Sequence, residues 1–390
     1  MPPTRSRSLT TLLLSALSGC GAPKETPTLG DTTEPTETGS TADTSPTASS
    51  STGSTGATGA TGETGDTGTA GTTTYSGAYT VTDLGVLPGG LSSTATSVDA
   101  SGMVAGTSQA VATNGPLHAF SWTSATGLVD LGTLGGEYSL GYAVSGGVVV
   151  GESDDGYGSF AFLADGTGTY SLGGLSGVGS DAHGINAAGV VVGSARNAAT
   201  YQRAVRYEGG AVIELGTLIG GDQSNSRALA INDSGRVVGG SDSPSGGEAA
   251  TAWDGGILTE LAPPPSIAVA VNAVGDAVGW TGNFGATRPA LYRGGATIDL
   301  GLLPDFTSGE AMGINGAGRI VGSNFRQSGE ITELHAFVTD GVTLSDLNDL
   351  VTTADWTIQR ANGISDAGWI AGQGVREDGT THALLLIPAP

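Results

Sequence analysis

One cysteine, Cys20, occurs in the 390 residues, and a single thiol cannot form an intrachain disulfide framework. Basic residues are also scarce: 14 Lys and Arg stand against 37 Asp and Glu, for a formal charge of -23. Nucleic acid, which demands a basic surface, is therefore not an expected partner. Aromatic residues make up 5% of the chain. Long apolar runs are missing as well. The mainly apolar run from Leu9 to Leu17 after Arg5 and Arg7 is too short to span a bilayer and reads as the core of a secretory signal. There is no Walker loop, no paired-histidine zinc helix and no Gly-x-Ser-x-Gly elbow.

What is abundant is glycine, with 68 residues, arranged in two patterns. From Gly53 to Gly71 glycine recurs at every third position in a Thr-rich, Ser-rich and acidic stretch. The period suggests a collagen helix, but the run is short and contains no proline. A segment with so few apolar residues cannot offset its conformational entropy by burial, so a flexible tether is expected over residues 20 to 74. In the second pattern, turn glycines recur at Gly102, Gly147, Gly189, Gly235, Gly275, Gly318 and Gly368, 40 to 50 residues apart. That is the size of a four-stranded propeller blade.

Each repeat obeys the same rules. Ala95, Gly141, Ala182, Ala228, Ala268, Ala311 and Ala361 keep one position small, which implies crowding. Asp99, Asn186, Asn232, Asn272, Asn315 and Ser365 stand three residues before the turn glycine, where a type I turn favours them, so a structural role is expected. Gly106, Gly151, Gly193, Gly239, Gly279, Gly322 and Gly372 follow the turn and permit a bend or a close backbone approach. Third strands read as HAFSW, FAFLA, RAVRY, ATAW, PALY, HAFVT and HALLL; fourth strands are visible as LVDLGTL, TYSLGGL, VIELGTL and TIDLGLL, and one copy is read as lacking it. The last repeat ends without a fourth strand, whereas the region opens at Tyr79 with an unattached one, YTVTDLGVL. The expected fold is thus all-β: a seven-bladed propeller of four-stranded blades over residues 75 to 390, closed when its N-terminal strand completes the last blade.

Three resemblances sharpen this reading. Leu17-Ser18-Gly19-Cys20 resembles the bacterial lipobox, which implies removal of residues 1 to 19 and a lipid on Cys20. Several acyl chains anchor a protein durably, since each buried methylene contributes about 0.8 kcal/mol. By resemblance to the sorting rule, Gly21 in place of Asp implies the outer membrane; display at the cell surface is expected, with the leaflet left open. HAFSW, DLGTLGG, AINDSGRVVG and the terminal GISDAGWIAGQG resemble the bacterial extracellular repeats named after their His-Ala-Phe (HAF) motif, over the whole region after the tether. Membership implies export and repetition rather than a reaction. In repeats three to five the motif reads as Arg-Ala-Val, Thr-Ala-Trp and Pro-Ala-Leu. SDDGYGSF at 153 to 160 resembles the Asp-box of sialidase propellers, with its glycine one residue early and no Trp.

His118, His335 and His382 occupy equivalent third-strand positions, too far apart around a ring to share a zinc ion, and are read as structural; His183 shows no evident partner. The connections between second and third strands are long and variable, and loops on a rigid scaffold concentrate binding residues. The candidate ligand residues there are Asp154, Asp155, Tyr157, Arg196, Asn197, Asp222, Asn225, Asn283, Phe284, Phe325, Arg326, Arg376 and Asp378. No cofactor is expected, with calcium left open at Asp154 and Asp155. The functional expectation is a monomeric, membrane-anchored recognition module for an envelope or extracellular protein or glycan. The alternative is a propeller glycosidase or lyase using paired carboxylates.

Overall fold

The computed structural model describes residues 78–111, 115–328, 331–352 and 355–389. The expected signal, Cys20 and tether lie outside the described residues. Those that are described form seven four-stranded antiparallel sheets, each a blade, with strands in chain order from the axis outward in the first six. Blade 1 comprises Ser93–Val98, Val104–Gln109, Leu117–Thr123 and Gly127–Asp130. The same unit repeats to Thr357–Ile364, Ile370–Val375 and Thr381–Pro388 of blade 7, whose fourth strand is Tyr79–Gly85. Tyr79 pairs with Pro388 and Asp83 with Leu384, so the N-terminal strand closes the ring. First strands touch their neighbours all the way round, including blade 7 against blade 1. No α-helix occurs among the described residues; one 3-10 turn spans Leu347–Asp349.

All seven blades have a fourth strand. Ile257–Ala262 supplies it in blade 4 and Leu344–Asp346 in blade 6, which corrects the expectation that one copy lacks it. Both were hard to read because the Leu-Gly pair that follows in the other copies is replaced there by Leu261-Ala262 and Leu347-Asn348. Register also moves the third-strand motif in two blades. Thr251 and Ala290, opposite Gly239 and Gly279, take the place of Phe120, so the motif is Ala249-Ala250-Thr251 in blade 4 and Arg288-Pro289-Ala290 in blade 5.

The small-residue rule has one cause. Ala95, Gly141, Ala182, Ala228, Ala268, Ala311 and Ala361 each pair with the mid-strand glycine of the second strand, and a bulge follows at once in every blade. A Cβ on Gly239 would lie 1.9 Å from the Arg227 carbonyl oxygen, and on Gly279 2.0 Å from that of Ile267. Close backbone approach, not a bend at a strand end, is what these glycines provide. Phe120, Phe162 and Phe337, all fully buried, pack over the gaps in blades 1, 2 and 6.

Two sets of hydrogen bonds join blade to blade. At the short-turn end, Asn186 Nδ2 donates to the Asn232 carbonyl, Asn232 to Asn272, Asn272 to Asn315 and Asn315 to the Ser365 carbonyl, over 2.8–3.2 Å. Each Asn Oδ1 meanwhile accepts the backbone N–H four residues on, holding its own turn. These buried amides are structural, as their place in the turn predicts. At the opposite end a serine of one blade's first strand bridges the preceding blade. Ser93, Ser139, Ser180, Ser226 and Ser266 each accept from a third-strand N–H (Ala383, Ala119, Ala161, Ala204 and Ala250) at 2.8–3.0 Å. Each donates in turn to a carbonyl at the end of that blade's fourth strand.

Candidate functional site

Four antiparallel strands running outward from the axis put the first-to-second and third-to-fourth turns on one face. The second-to-third loops share the other face with the links between blades. On that long-loop face two seams differ from the rest. Blade 5 presents Pro289, which has no N–H to give, and blade 6 opposes it with Gly309, which has no hydroxyl. In blade 7 the serine position is filled by Ile358, fully buried, whose N–H is taken by the Asn348 side chain at 2.7 Å. The serine bridge is therefore missing at seams 5/6 and 6/7.

Both seams carry the same replacement. An aromatic residue enters from the blade link, Phe306 at one and Trp356 at the other. Above it lies an arginine, Arg326 from the second strand of blade 6 with its guanidinium carbon 5.6 Å from the Phe306 centroid and Arg376 just past that of blade 7, 4.2 Å from that of Trp356. A third-strand histidine tilts against the same ring, His335 at 5.1 Å and His382 at 5.5 Å. Its Nδ1 meets a fourth-strand carboxylate, Asp346 for His335 at 2.5 Å and Asp83 for His382 at 2.8 Å.

The histidine clasp is part of a wider pattern. His118 meets Asp130 at 2.9 Å, and in blades 3 and 5 Arg203 with Glu214 and Arg288 with Asp299 take its place. Asp83, Asp130 and Asp299 also accept the N–H of the glycine two residues on, which accounts for the Asp-Leu-Gly text. The three equivalent histidines thus hold strands three and four together. His183 does have partners: it stacks on Tyr142 at 4.6 Å and places Nε2 3.4 Å from Asp181.

Seam 5/6 opens into a cleft of ≈ 480 Å³. Its apolar lining is Leu303, Pro304, Phe306, Leu344 and Leu350, and its charged lining is Asp305, Arg326, Glu333, His335, Asp346 and Asp349. Arg326 bonds Glu333 at 2.7 Å, and this bond with the nearby Glu333 and Asp305 charges pushes its pKa up, so it stays a cation. Asp305 sits at φ 69°, a left-handed conformation that Asp tolerates better than most residues. Asp346 is consumed by His335 and by the Asn348 N–H and Nδ2.

The thirteen residues named from sequence do not form one site. Only Arg326 lines this cleft, with the partly buried Phe325 beside it in the chain, and Arg376 belongs to the matching station at seam 6/7. In blade 2, Asp154 accepts the Glu137 and Gly156 N–H groups, which hold its carboxyl below the usual range. Asp155 accepts from Tyr157 and Gly158, so both carboxylates shape the loop, and Tyr157 points wholly into solvent. Asn197 donates to the Asp222 carbonyl and Asn225 accepts the Gln202 N–H, tying seam 3/4, Asn225 also donates to Asp242 of its own blade, and Arg196 donates to the Thr200 carbonyl of its own loop. Asp378 accepts from the Thr380 N–H, and the Thr380 hydroxyl and N–H lower its pKa. Asn283 and Phe284 form an exposed tip on blade 5. Missed from sequence were Phe306, Trp356, Glu333, Asp305 and Asp349. A visible signal did exist: an aromatic five residues before Ala311 and Ala361, with an arginine four after Gly322 and Gly372.

Carboxylates elsewhere near the axis are tied up. Glu152 accepts from the hydroxyls of Tyr138, Tyr142 and Ser159, and Asp181 accepts from the Ser194 N–H and hydroxyl. Burial pushes the Tyr142 phenol well above its usual range, so it serves as a neutral donor to Glu152. Among the described residues no group of three or more His, Cys, Asp and Glu side chains is placed to hold a metal ion.

The architecture is that of a closed seven-bladed β-propeller. No family model matches the chain and no curated protein matches it closely. Among solved structures, the propeller domain of the Trilobed protease from Pyrococcus furiosus aligns over 76% of this chain and 97% of its own, with 11% identity and a TM-score of 0.50. Acylaminoacyl peptidase of Pyrococcus horikoshii aligns over 77% of this chain and 52% of its own, with 10% identity and the same TM-score. TolB from Acinetobacter baumannii aligns at 9% identity over 74% and 79%, with a TM-score of 0.40. The two peptidase propellers share the fold. The Pyrococcus furiosus domain is described as having an open velcro topology, whereas here Tyr79–Gly85 pairs with the last strand.

Proposed function

We propose that the protein is an exported, lipid-anchored recognition module whose propeller binds an envelope or extracellular protein or glycan through its long-loop face. One observation carries the reading. The seams without a serine bridge are the seams that display paired Arg, aromatic, His and Asp groups, beside an open cleft on a rigid ring. A scaffold with a fixed backbone presents such groups at little ordering cost. Cys20 supplies the anchor and residues 21 to 74 the reach, a coil of about fifty residues extending on the order of 40 Å.

The test is a pull-down from envelope extract together with a glycan array, run with and without calcium. The protein should retain an unaltered ligand that Arg326→Ala with Arg376→Ala releases. An enzyme acting on extracellular polysaccharide is the second reading, favoured by the concentration of carboxylates in the 5/6 cleft, where Glu333, Asp305 and Asp349 surround one arginine. Glycoside hydrolysis needs two carboxyl groups about 5 to 10 Å apart. Cleavage of the retained glycan establishes that reading instead.

A further inference from the structure

The 5/6 cleft combines three features that select a ligand class. Its floor is aliphatic and aromatic, made by Leu303, Pro304, Phe306, Leu344 and Leu350. Its rim is anionic, since four carboxylates face one arginine and one histidine, and Arg326 is already engaged by Glu333. Asp305 and Asp349 are both exposed, and among the described residues neither carboxylate receives a hydrogen bond. An apolar floor beneath an acidic rim fits the side chain of lysine or arginine, whose methylene stem buries while its charged head stays at the edge.

The backbone adds the third feature. Second strand Ile320–Ser328 and third strand Ile331–Thr339 of blade 6 pair over nine residue pairs, the longest hairpin of the ring. The fourth strand covers only Phe337, Val338 and Thr339. The outer edge over Thr332–His335 therefore runs past the fourth strand, next to Glu333 and His335, which line the cleft. An edge left without a strand partner is a template for an added strand. A strand laid there places alternate side chains on the cleft side.

Resting on the recognition reading above, we propose that this cleft binds an extended basic peptide segment, paired along the outer edge of Thr332–His335, with the stem of a lysine or arginine side chain on the apolar lining of the cleft and its head at Asp305 and Asp349. The charge of -23 on the whole chain favours encounter with cationic partners, and the bound state should weaken with salt.

The experiment uses the purified full chain and four probes measured by fluorescence anisotropy and calorimetry. The probes are an alternating Lys-Val octapeptide, its Glu-Val counterpart, the Lys-Val peptide N-methylated at alternate residues, and spermine. The Lys-Val peptide should bind at least about tenfold more tightly than the other three, and Asp305→Asn with Asp349→Asn should weaken it by about tenfold or more. An unchanged melting curve of that variant shows that the fold is intact. No binding by the Lys-Val peptide, or equal binding by the double variant, overturns the proposal. Equal binding by the N-methylated peptide or by spermine overturns strand pairing and with it the peptide assignment. The recognition reading fails separately, if no extract ligand depends on Arg326 and Arg376.

Discussion

Seams 7/1 through 4/5 and seams 5/6 and 6/7 solve the same problem in different ways. In the first five, a serine hydroxyl satisfies a third-strand N–H and a fourth-strand carbonyl of the preceding blade. In the other two the serine is absent and the joint is filled by Phe306 or Trp356 under an arginine. The asparagine chain at the opposite end covers seams 3/4, 4/5, 5/6 and 6/7, so the two seams that give up the serine keep the amide. Every seam retains at least one buried bridge. A ring has no spare interface, and a site is affordable only where a second bond already holds the blades.

The largest effect expected is one that ignores the contrast between seams. Gly239→Val and Gly322→Val each force a side chain against a first-strand carbonyl, 1.9 and 2.1 Å from an added Cβ, and each should cost about 3 kcal/mol or more in denaturant unfolding. A large difference between the two would show that the blades of the site are built to looser rules.

Next come the bridges themselves. Ser226→Ala strands the Ala204 N–H and the Gly216 carbonyl in the interior and should cost about 1–3 kcal/mol. The asparagines should separate by position. Asn272→Ala and Asn315→Ala remove the amide bridge from seams that have no serine, whereas Asn232→Ala cuts seam 4/5, where Ser266 remains. Losses about 1 kcal/mol greater for the first two are expected from unfolding midpoints, because those seams have no serine bridge beside the amide. Equal losses would mean that the two sets of bonds do not back each other up.

Acid sensitivity probes the 5/6 and 6/7 region more gently. Burial pushes the Glu310 carboxyl above its usual value, with Arg360 pulling it back. The native state thus prefers protonated Glu310. Stability from this group is fully present below the unfolded value near 4.5 and is lost as pH rises through the higher folded value. Relative to Glu310→Gln, the wild type should lose melting temperature between pH 4.5 and 7.

The smallest effect expected would repair the contrast. Ser365 ends the amide chain because its hydroxyl accepts the Trp369 N–H and reaches no further blade. Ser365→Asn would let an amide reach toward the Asp99 carbonyl of blade 1, adding about 0.5–1 kcal/mol if the seventh-to-first joint has the same spacing as the others.

The legible part of the fold was the part that repeats. Alanine and glycine at paired positions, Asn three before the turn glycine, and the orphan first strand at Tyr79 are spacing rules, and spacing survives in one dimension. The serine bridge follows a rule equally regular, two residues before the small position, yet it went unread because a lone serine in a strand has no propensity signature. The histidines were read correctly as structural, but their acidic partners 11 or 12 residues on, or 299 residues back for His382, needed the register.

By itself, the sequence determined the number of blades, the closure by the N-terminal strand and the turn chemistry, because each depends on local sterics and periodic burial repeated seven times. The tertiary structure alone decided where the ring is interrupted. Pro289 against Gly309, and Ile358 against its neighbour, are single departures whose meaning lies in what faces them across a seam. A cleft forms where two blades lack the serine bridge, and that lack is a relation between Pro289 and Gly309, about 20 residues apart in the chain, that only packing brings together.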